Sequence, residues 1–465
     1  MEGIRVEDHA AEGKSLARHE GKVIFIEHAV PGDLVDVRLT KSKKDWAEGF
    51  PVKFIEYSKD RVEPFCQHFG VCGGCQWQML PYAKQLEFKQ KQVYDNLTRI
   101  GKVELPEFLP IVGAKEDRFY RNKLEYTFST KEYTKAAPPP RGDGERPITP
   151  VVGFHAKGFF DKVVDIQKCW LQDDLTNTIR NRIREYALET ELSFYDIRAH
   201  VGFLRTMQVR ICTTGEVMVN IVLGDESEKK RKPLLEFVQQ EFPHITTLLY
   251  TINLKWNDSM HDLEPQVFSG KGYVVEDMEE FKFKIGPKSF FQTNTKQGEE
   301  LYKITRDFAE LDGSQVVYDL YCGTGSIGIF CSKQAKKIVG VEMIEAAVAD
   351  AKENAQMNGI EHTFFTAGDV IEVCNNEFFA QHGKPDVIIT DPPRAGMHEK
   401  LVLKILEMEA PTVVYVSCNP ATQARDLNLL DEKYRVTKVQ PVDMFPHTHH
   451  IENVVQLKLK TKENE

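Results

Sequence analysis

Apolar positions repeat with three different periods along this chain, and the changes of period mark its organisation. In residues 1–58, short runs at 23–26, 34–39 and 49–55 read as strands, with Pro31-Gly32-Asp33 as the turn between the first two. This spacing predicts a small β-barrel of the oligonucleotide-binding type. From Pro81 to Ile100 the period becomes helical, with Leu86, Val93, Leu97 and Ile100 on one face, Pro81 at the start and Gly101 at the end. Residues 118–290 return mainly to strands, among them 123–128, 208–212 and 217–223. Residues 134–150 are rich in Pro and Gly and predict a long mobile loop.

From residue 291 onward strand and helix patterns alternate. Strands are expected at 315–320, 337–342, 386–390 and 412–416, with a helix ending near Met357. That alternation predicts a parallel sheet with helices on both faces. The charged tail 458–465 is expected to fray. The chain therefore divides into 1–58, 59–285 and 286–465: a β-barrel, an α+β middle domain and a Rossmann-like α/β domain.

Composition narrows the class. Hydrophobic residues make up 41% and charged residues 28%, as in soluble globular chains. No apolar run reaches membrane-spanning length and the N-terminus is charged, so a cytoplasmic protein with no membrane partner is expected. The net charge of −10 argues against nucleic acid as a whole-molecule field, but it is unevenly spread. Residues 66–184 carry a net +5, so this segment is the candidate for phosphate contacts. Nine cysteines in a cytoplasmic chain point to metal or catalytic use rather than disulfides.

Two strand ends carry candidate chemistry. The run Asp319-Leu320-Tyr321-Cys322-Gly323-Thr324-Gly325-Ser326-Ile327-Gly328 follows a strand and opens a helix, and Glu342 ends the next strand. A glycine turn at a helix N-terminus with a carboxylate one strand later suits a nucleotide cofactor, and NAD competes with S-adenosylmethionine on this pattern. Ser417-Cys418-Asn419-Pro420 ends another apolar strand, where α/β sheets bind ligands and a thiol can be activated. Cys66, Cys72 and Cys75 cluster; with Cys169 or His68 they suit zinc or an iron–sulfur cluster about equally on spacing. Cys212, Cys331 and Cys374 read as core, and Cys322 as packing. His447, His449 and His450 cannot all face one site from a strand, which leaves structural or RNA-contact roles.

Together these motifs resemble the RNA uracil-C5 methyltransferase family, and specifically its iron–sulfur branch that modifies 23S ribosomal RNA. Residues 1–58 resemble a TRAM domain through Ala29-Val30-Pro31-Gly32-Asp33. Asp319 before the glycines and Asp391-Pro392-Pro393 at a later strand end resemble class I S-adenosylmethionine-dependent enzymes. The resemblance implies a [4Fe–4S] cluster on Cys66, Cys72, Cys75 and Cys169, and cofactor contacts from Gln292 (in Phe290-Phe291-Gln292-Thr293-Asn294), Tyr321, Gly323, Glu342 and Asp391. It implies Cys418 as nucleophile and Glu452, in the segment from Phe445, as base.

The implied reaction needs these groups. Uracil C5 is a poor nucleophile until a thiolate adds at C6, and a base must then take the C5 proton so that the thiol can leave. The target base must be extruded or already single-stranded. The expected partner is RNA, 23S ribosomal RNA ahead of transfer RNA, and the expected state is a monomer. An RNA cytosine-C5 methyltransferase would be expected to carry a cysteine where this chain has Asp391-Pro392-Pro393-Arg394. A non-catalytic RNA-binding protein would not need Cys418 and Glu452.

Overall fold

The computed structural model describes residues 1–134 and 149–460. Most of the loop expected at 134–150 lies outside the described residues. The described chain forms two compact units. The first comprises residues 1–65, 76–117 and 296–465; the second comprises 66–75 and 118–295.

In the first unit, residues 1–56 form a six-stranded sheet around Ile4, Val6, Ala17, Ile24, Ile26, Val35 and Val37. The Pro31-Gly32-Asp33 turn is held by the buried Asp33 carboxylate. It accepts the Val30 and Ser58 amides at 2.8 Å and the Arg61 guanidinium at 2.7 and 2.9 Å. Gly32 sits at φ 95°, and a Cβ there would meet Ser58 Oγ at 2.8 Å, so only glycine fits.

The C-terminal part of the same unit is a seven-stranded sheet. Its strands are β1 (Val316–Leu320), β2 (Lys337–Glu342), β3 (Thr363–Ala367), β4 (Val387–Thr390), β5 (Thr412–Ser417), β6 (Tyr434–Val442) and β7 (Glu452–Leu459), in the order β3-β2-β1-β4-β5-β7-β6. The first five strands are mutually parallel; β7 runs antiparallel to both β5 and β6. The wholly parallel sheet expected from the helix–strand alternation is therefore corrected at its last strand. Residues 443–451 return as a loop, without the helix that a parallel crossover needs. The start of the tail is corrected as well: Lys458 and Leu459 belong to β7, and Lys458 pairs with Thr412 across the sheet, while 461–465 lie outside the described residues.

The helix expected after Pro81 is α1 (Tyr82–Asn96), ending in a π turn over Leu97–Gly101. It belongs to the first unit. Val93 and Leu97 join the core of the seven-stranded sheet, beside Ala424 and Leu427 of helix α2 (Pro420–Leu430). On its buried side Lys89, fully buried, donates to Asp443 Oδ1 at 2.6 Å and to the Phe445 carbonyl at 3.1 Å. Tyr82 donates to the other Asp443 oxygen at 2.9 Å. This closed network holds the loop that leads to Glu452; removing one partner of such a buried pair costs about 3–5 kcal/mol.

The second unit is built on another seven-stranded sheet, antiparallel except where Val217–Leu223 and Thr247–Ile252 run parallel, with the helix Glu228–Glu241 between them. Its core includes Tyr126, Phe128, Met207, Val219, Ile221 and Leu248. No helix among the described residues is long and apolar enough to cross a membrane.

Candidate active site

Strand register assembles the candidate site at the C-terminal edge of β1, β2, β4 and β5. Leu320 pairs with Val341 on one side and Thr390 on the other. Tyr321, Glu342 and Asp391 each follow one of these residues, so three distant parts of the sequence emerge side by side. Ser417 of β5 pairs with Asn453 of β7. Cys418 follows Ser417 and Glu452 precedes Asn453, so antiparallel pairing sets the thiol against the carboxylate. The reversed β7 is thus what brings a residue near the C-terminus to the cysteine.

The turn after β1 is shaped for close approach. Tyr321 has φ 63°, a rare value for a side-chain-bearing residue, and Gly323 and Gly325 have φ 53° and 75°. Glu342 is fixed by the Gly323 amide at 3.1 Å and the Ile344 amide at 2.9 Å. Asp319 lies beneath the turn. One oxygen accepts the Gly328 amide at 2.9 Å, while Oδ1 is buried with no hydrogen-bond partner. Burial raises the Asp319 pKa to about 7. An orphan acceptor, a left-handed turn and a strand-end carboxylate together form a cradle that suits a ligand bearing hydroxyl and ammonium donors.

The nucleophile loop is tied to the Asp391 loop. Asn419 caps α2 by accepting the Ala421 amide at 3.1 Å, with Pro420 in the first turn. Its amide nitrogen donates to the Arg394 carbonyl at 3.0 Å, and Thr422 donates to the same carbonyl at 3.3 Å. Buried Asp426 accepts the Met397 amide at 2.8 Å and the Tyr415 hydroxyl at 2.7 Å. Residues 391–397 are thereby clamped to the helix that follows Cys418. The Arg394 guanidinium lies 3.1 Å from His450 Nδ1.

Electrostatics at the edge are those of a dry acidic pocket with one cation. Burial raises Cys418 to about 11, Glu452 and Asp391 push it further up, and Arg394 opposes them. Burial, with Asp391 next, holds Glu452 well above the usual carboxylate range, again against Arg394. Asp391 is raised to about 7 by burial. Two carboxyls of high proton affinity beside a half-buried thiol form an acid–base set.

Two other residues singled out in the sequence have defined surroundings. Gln292 is a buried residue of the second unit, and its carbonyl accepts from Asn122 at 2.9 Å. His447 is structural: its ring meets Gln85 at 3.1 Å, its amide donates to Gln85 at 2.8 Å, and its carbonyl accepts the Gln76 and Trp77 amides. Sequence reasoning missed Arg394, whose place against the thiol depends on the Asn419 clamp, and the Lys89–Asp443 support.

The cysteine cluster belongs to the second unit. Tight turns run from Cys66 to Cys72, and the Gly74 amide donates to Cys72 Sγ at 3.4 Å. Cys72 bridges to Ala156, and Cys169 is fixed by paired hydrogen bonds with Asn177 at 2.8 and 3.0 Å. Burial raises Cys72 to about 12, with Cys169 and Cys66 close enough to raise it further. His68 Nε2 accepts the Gln167 amide at 3.1 Å, which occupies that nitrogen. Among the described residues no group of three or more His, Cys, Asp or Glu side chains is gathered to hold a metal ion. The expected iron–sulfur ligand set is thus not assembled as a metal-binding group here.

Comparison with known proteins finds RNA methyltransferases. Residues 262–460 match the tRNA (Uracil-5-)-methyltransferase family and residues 3–52 match the TRAM domain. The chain is 54% identical over 454 residues to an RNA methyltransferase of Bacteroides thetaiotaomicron, covering 97% of this chain and 100% of that protein. It is 48% identical to an RNA methyltransferase of Porphyromonas gingivalis, covering 99% and 100%. Among solved structures it resembles the Pyrococcus abyssi tRNA (uracil-54, C5)-methyltransferase in complex with S-adenosyl-L-homocysteine. That likeness has a TM-score of 0.75 and 28% identity, and covers 98% of this chain and 100% of that one. The sheet order, with an antiparallel strand between β5 and β6, departs from the 3-2-1-4-5-6 order of dinucleotide-binding folds and so answers the NAD alternative. On these grounds the chain belongs to the family of these RNA methyltransferases, with a tRNA (Uracil-5-)-methyltransferase family domain over residues 262–460 and a TRAM domain over residues 3–52.

Proposed function

We propose that the protein methylates C5 of a uridine in RNA through a covalent bond between Cys418 Sγ and uracil C6. S-adenosylmethionine, when bound, supplies the methyl group. Tyr321, Gly323, Glu342 and Asp391 would hold it, and the orphan Asp319 oxygen suits one of its donors. The Cys418 thiolate adds to C6, which places an electron pair at C5; C5 takes the methyl group. The Glu452 carboxylate then accepts the C5 proton, the ring electrons return, and the Sγ–C6 bond breaks to restore the thiolate. Arg394 is the cation that offsets negative charge at the thiol. The observation that carries this reading is the β5–β7 register, which sets Cys418 against a buried Glu452 of raised proton affinity.

Cys66, Cys72, Cys75 and Cys169 would hold a [4Fe–4S] cluster. This assignment follows the resemblance, and Cys66, Cys72 and Cys169 lie within electrostatic reach of one another, as ligands of one cluster must. Its role would be to tie the Cys66–Cys75 loop to Cys169. We propose 23S ribosomal RNA as substrate, from the resemblance of the TRAM domain and the cysteine spacing. Transfer RNA is the second reading, favoured by the whole-length likeness to the Pyrococcus abyssi enzyme.

RNA carrying 5-fluorouridine tests the mechanism, because C5 fluorine cannot leave as a proton. It should trap a methylated protein–RNA adduct through Cys418 that survives denaturation. Adduct formation by Cys418→Ala would refute the assignment. Mass mapping of ribosomal and transfer RNA from a deletion strain identifies the substrate: the RNA that loses its 5-methyluridine decides between the two readings.

A further inference from the structure

The second unit exposes aromatic rings on loops that are rigid by construction. Trp256 is 76% exposed and Phe160 64% exposed. Neither ring is loose. The His200 ring stacks on Trp256 with centroids 4.9 Å apart and planes 9° from parallel, and the Arg198 guanidinium lies over Phe160 at 5.2 Å. Each ring is thus half of a stack, backed by a cationic or imidazole plane.

Hydrogen bonds hold the supports in place, although Arg205 Nε itself is buried without a partner. Arg205, 1% exposed, donates to the Asn253 carbonyl at 2.8 Å, the Lys255 carbonyl at 2.6 Å, the Asn257 carbonyl at 3.1 Å and Asp258 at 2.6 Å. It spends a buried charge on holding the loop that presents Trp256, a costly arrangement for a loop with no task. Opposite, Asp196 accepts the Arg198 and Ala199 amides, and its carbonyl accepts the His200 amide at 2.8 Å, closing a tight turn. Arg198 Nε also donates to Asp161 at 2.5 Å, which fixes it beside Phe160. The turn therefore carries both stacking partners, His200 for Trp256 and Arg198 for Phe160. A small cleft lined by Asp161, Ile197, Arg205 and Asp258, with Thr127 and Ser129, shares Asp161, Arg205 and Asp258 with these supports.

Cations stand close to the Phe160 station: Arg198 pairs with Asp161, Lys131 pairs with Asp196, and Lys162 lies over Phe159. The segment 66–184, which supplies Phe160 and these lysines, is net positive, whereas residues 185–295, which supply Trp256, are net negative. Exposed aromatic planes with adjoining guanidinium and ammonium groups match stacked bases on a phosphate backbone.

The geometry points to a single-strand docking surface in which unpaired RNA bases stack on Trp256 and on Phe160, at two stations joined by the turn from Asp196 to Val201. This rests on the RNA substrate proposed above and adds to it where unpaired nucleotides are held. Sequence preference would be weak, since every base has a face to stack.

The test uses the full-length protein and, as probe, fluorescein-labelled oligouridine of roughly 20 nucleotides, against an RNA duplex of the same length. Trp256→Ala and Phe160→Ala should each weaken oligouridine binding about tenfold. Both should leave duplex binding and the slope of affinity on salt unchanged, because neither ring carries charge. Trp256→Phe should restore most of the affinity, and unfolding midpoints should match the parent. Parental affinity in both alanine variants, equal losses on duplex, or no oligouridine binding by the parent protein would overturn the proposal. Methyl transfer from labelled S-adenosylmethionine, read separately, distinguishes its failure from that of the proposed activity: binding without methylation leaves this surface standing, and methylation with parental binding in both variants removes it.

Discussion

Burial raises the thiol of Cys418 at the sheet edge and those of Cys66, Cys72 and Cys169 around the cysteine loop, yet the two places are built in opposite ways. At the sheet edge one thiol stands with two carboxyls and one guanidinium, so opposing charges are already in place. In the cysteine loop the thiols raise one another, and Arg180 and Arg121 are the cations that lower Cys169. The first arrangement suits the proton movement and thiol release proposed above. The second gains most from a group that would neutralise several thiolates at once and keep them. A nucleophile needs a thiol that can be given back, whereas a structural ligand needs one that cannot. Position follows the same division: strand register sets the first, and short turns plus one distant residue set the second.

The comparison breaks most sharply at Cys418 itself. Cys418→Ala should lower single-turnover methyl transfer by on the order of 10⁴-fold or more, as loss of a covalent nucleophile does. Transfer within tenfold of the parent in a rapid-quench assay would remove the thiol from the chemistry. Glu452→Gln should reduce turnover by about 10²–10⁴-fold while a methylated adduct accumulates on denaturing gels. A variant that turns over slowly with no adduct would move Glu452 to an earlier step.

Cys72→Ser sharpens the contrast from the other side. Anaerobically purified parent protein should carry about four irons and four sulfides per chain, and the variant should lose them. Its unfolding midpoint in urea should fall, while methyl transfer on saturating RNA changes only a few-fold. Stoichiometric zinc without sulfide in the parent would replace the cluster with a zinc site.

Alkylation reads the sheet edge directly. With a Cys418 pKa of about 11, the thiolate fraction below that value grows tenfold per pH unit. Iodoacetamide labelling of Cys418, mapped by mass spectrometry, should therefore rise about tenfold per unit between pH 7 and 10. It should slow in Arg394→Ala, which loses the one charge that favours the thiolate. A plateau near neutral pH would mean that the thiol is already ionised. The smallest effect is expected at Asn419→Ala, which removes the cap of α2 and the tie to Arg394, at a cost of about 1 kcal/mol in urea unfolding.

Much of this protein was legible in its sequence. Strands β1, β2, β4 and β5 stand out as apolar runs closed by Asp, Gly or Ser-Cys motifs, because a strand buried on both faces needs a continuous apolar stretch. The Gly323–Gly325 turn and the Pro31-Gly32-Asp33 turn were visible because their backbones admit few residue types. Tertiary structure alone decided the rest. The direction of β7 has no local signature, since an antiparallel strand and a parallel one carry the same apolar pattern; the loop at 443–451, held by Lys89 and Tyr82 from α1, turned it. Arg394 looks like any charged residue after a Pro-Pro pair until Asn419 and Thr422 grip its carbonyl. Arg205 reads as a strand residue among many, and only folding gives its guanidinium four acceptors from one loop. Residue type and spacing set which groups can react; long-range pairing, which periodicity cannot encode, set which of them meet.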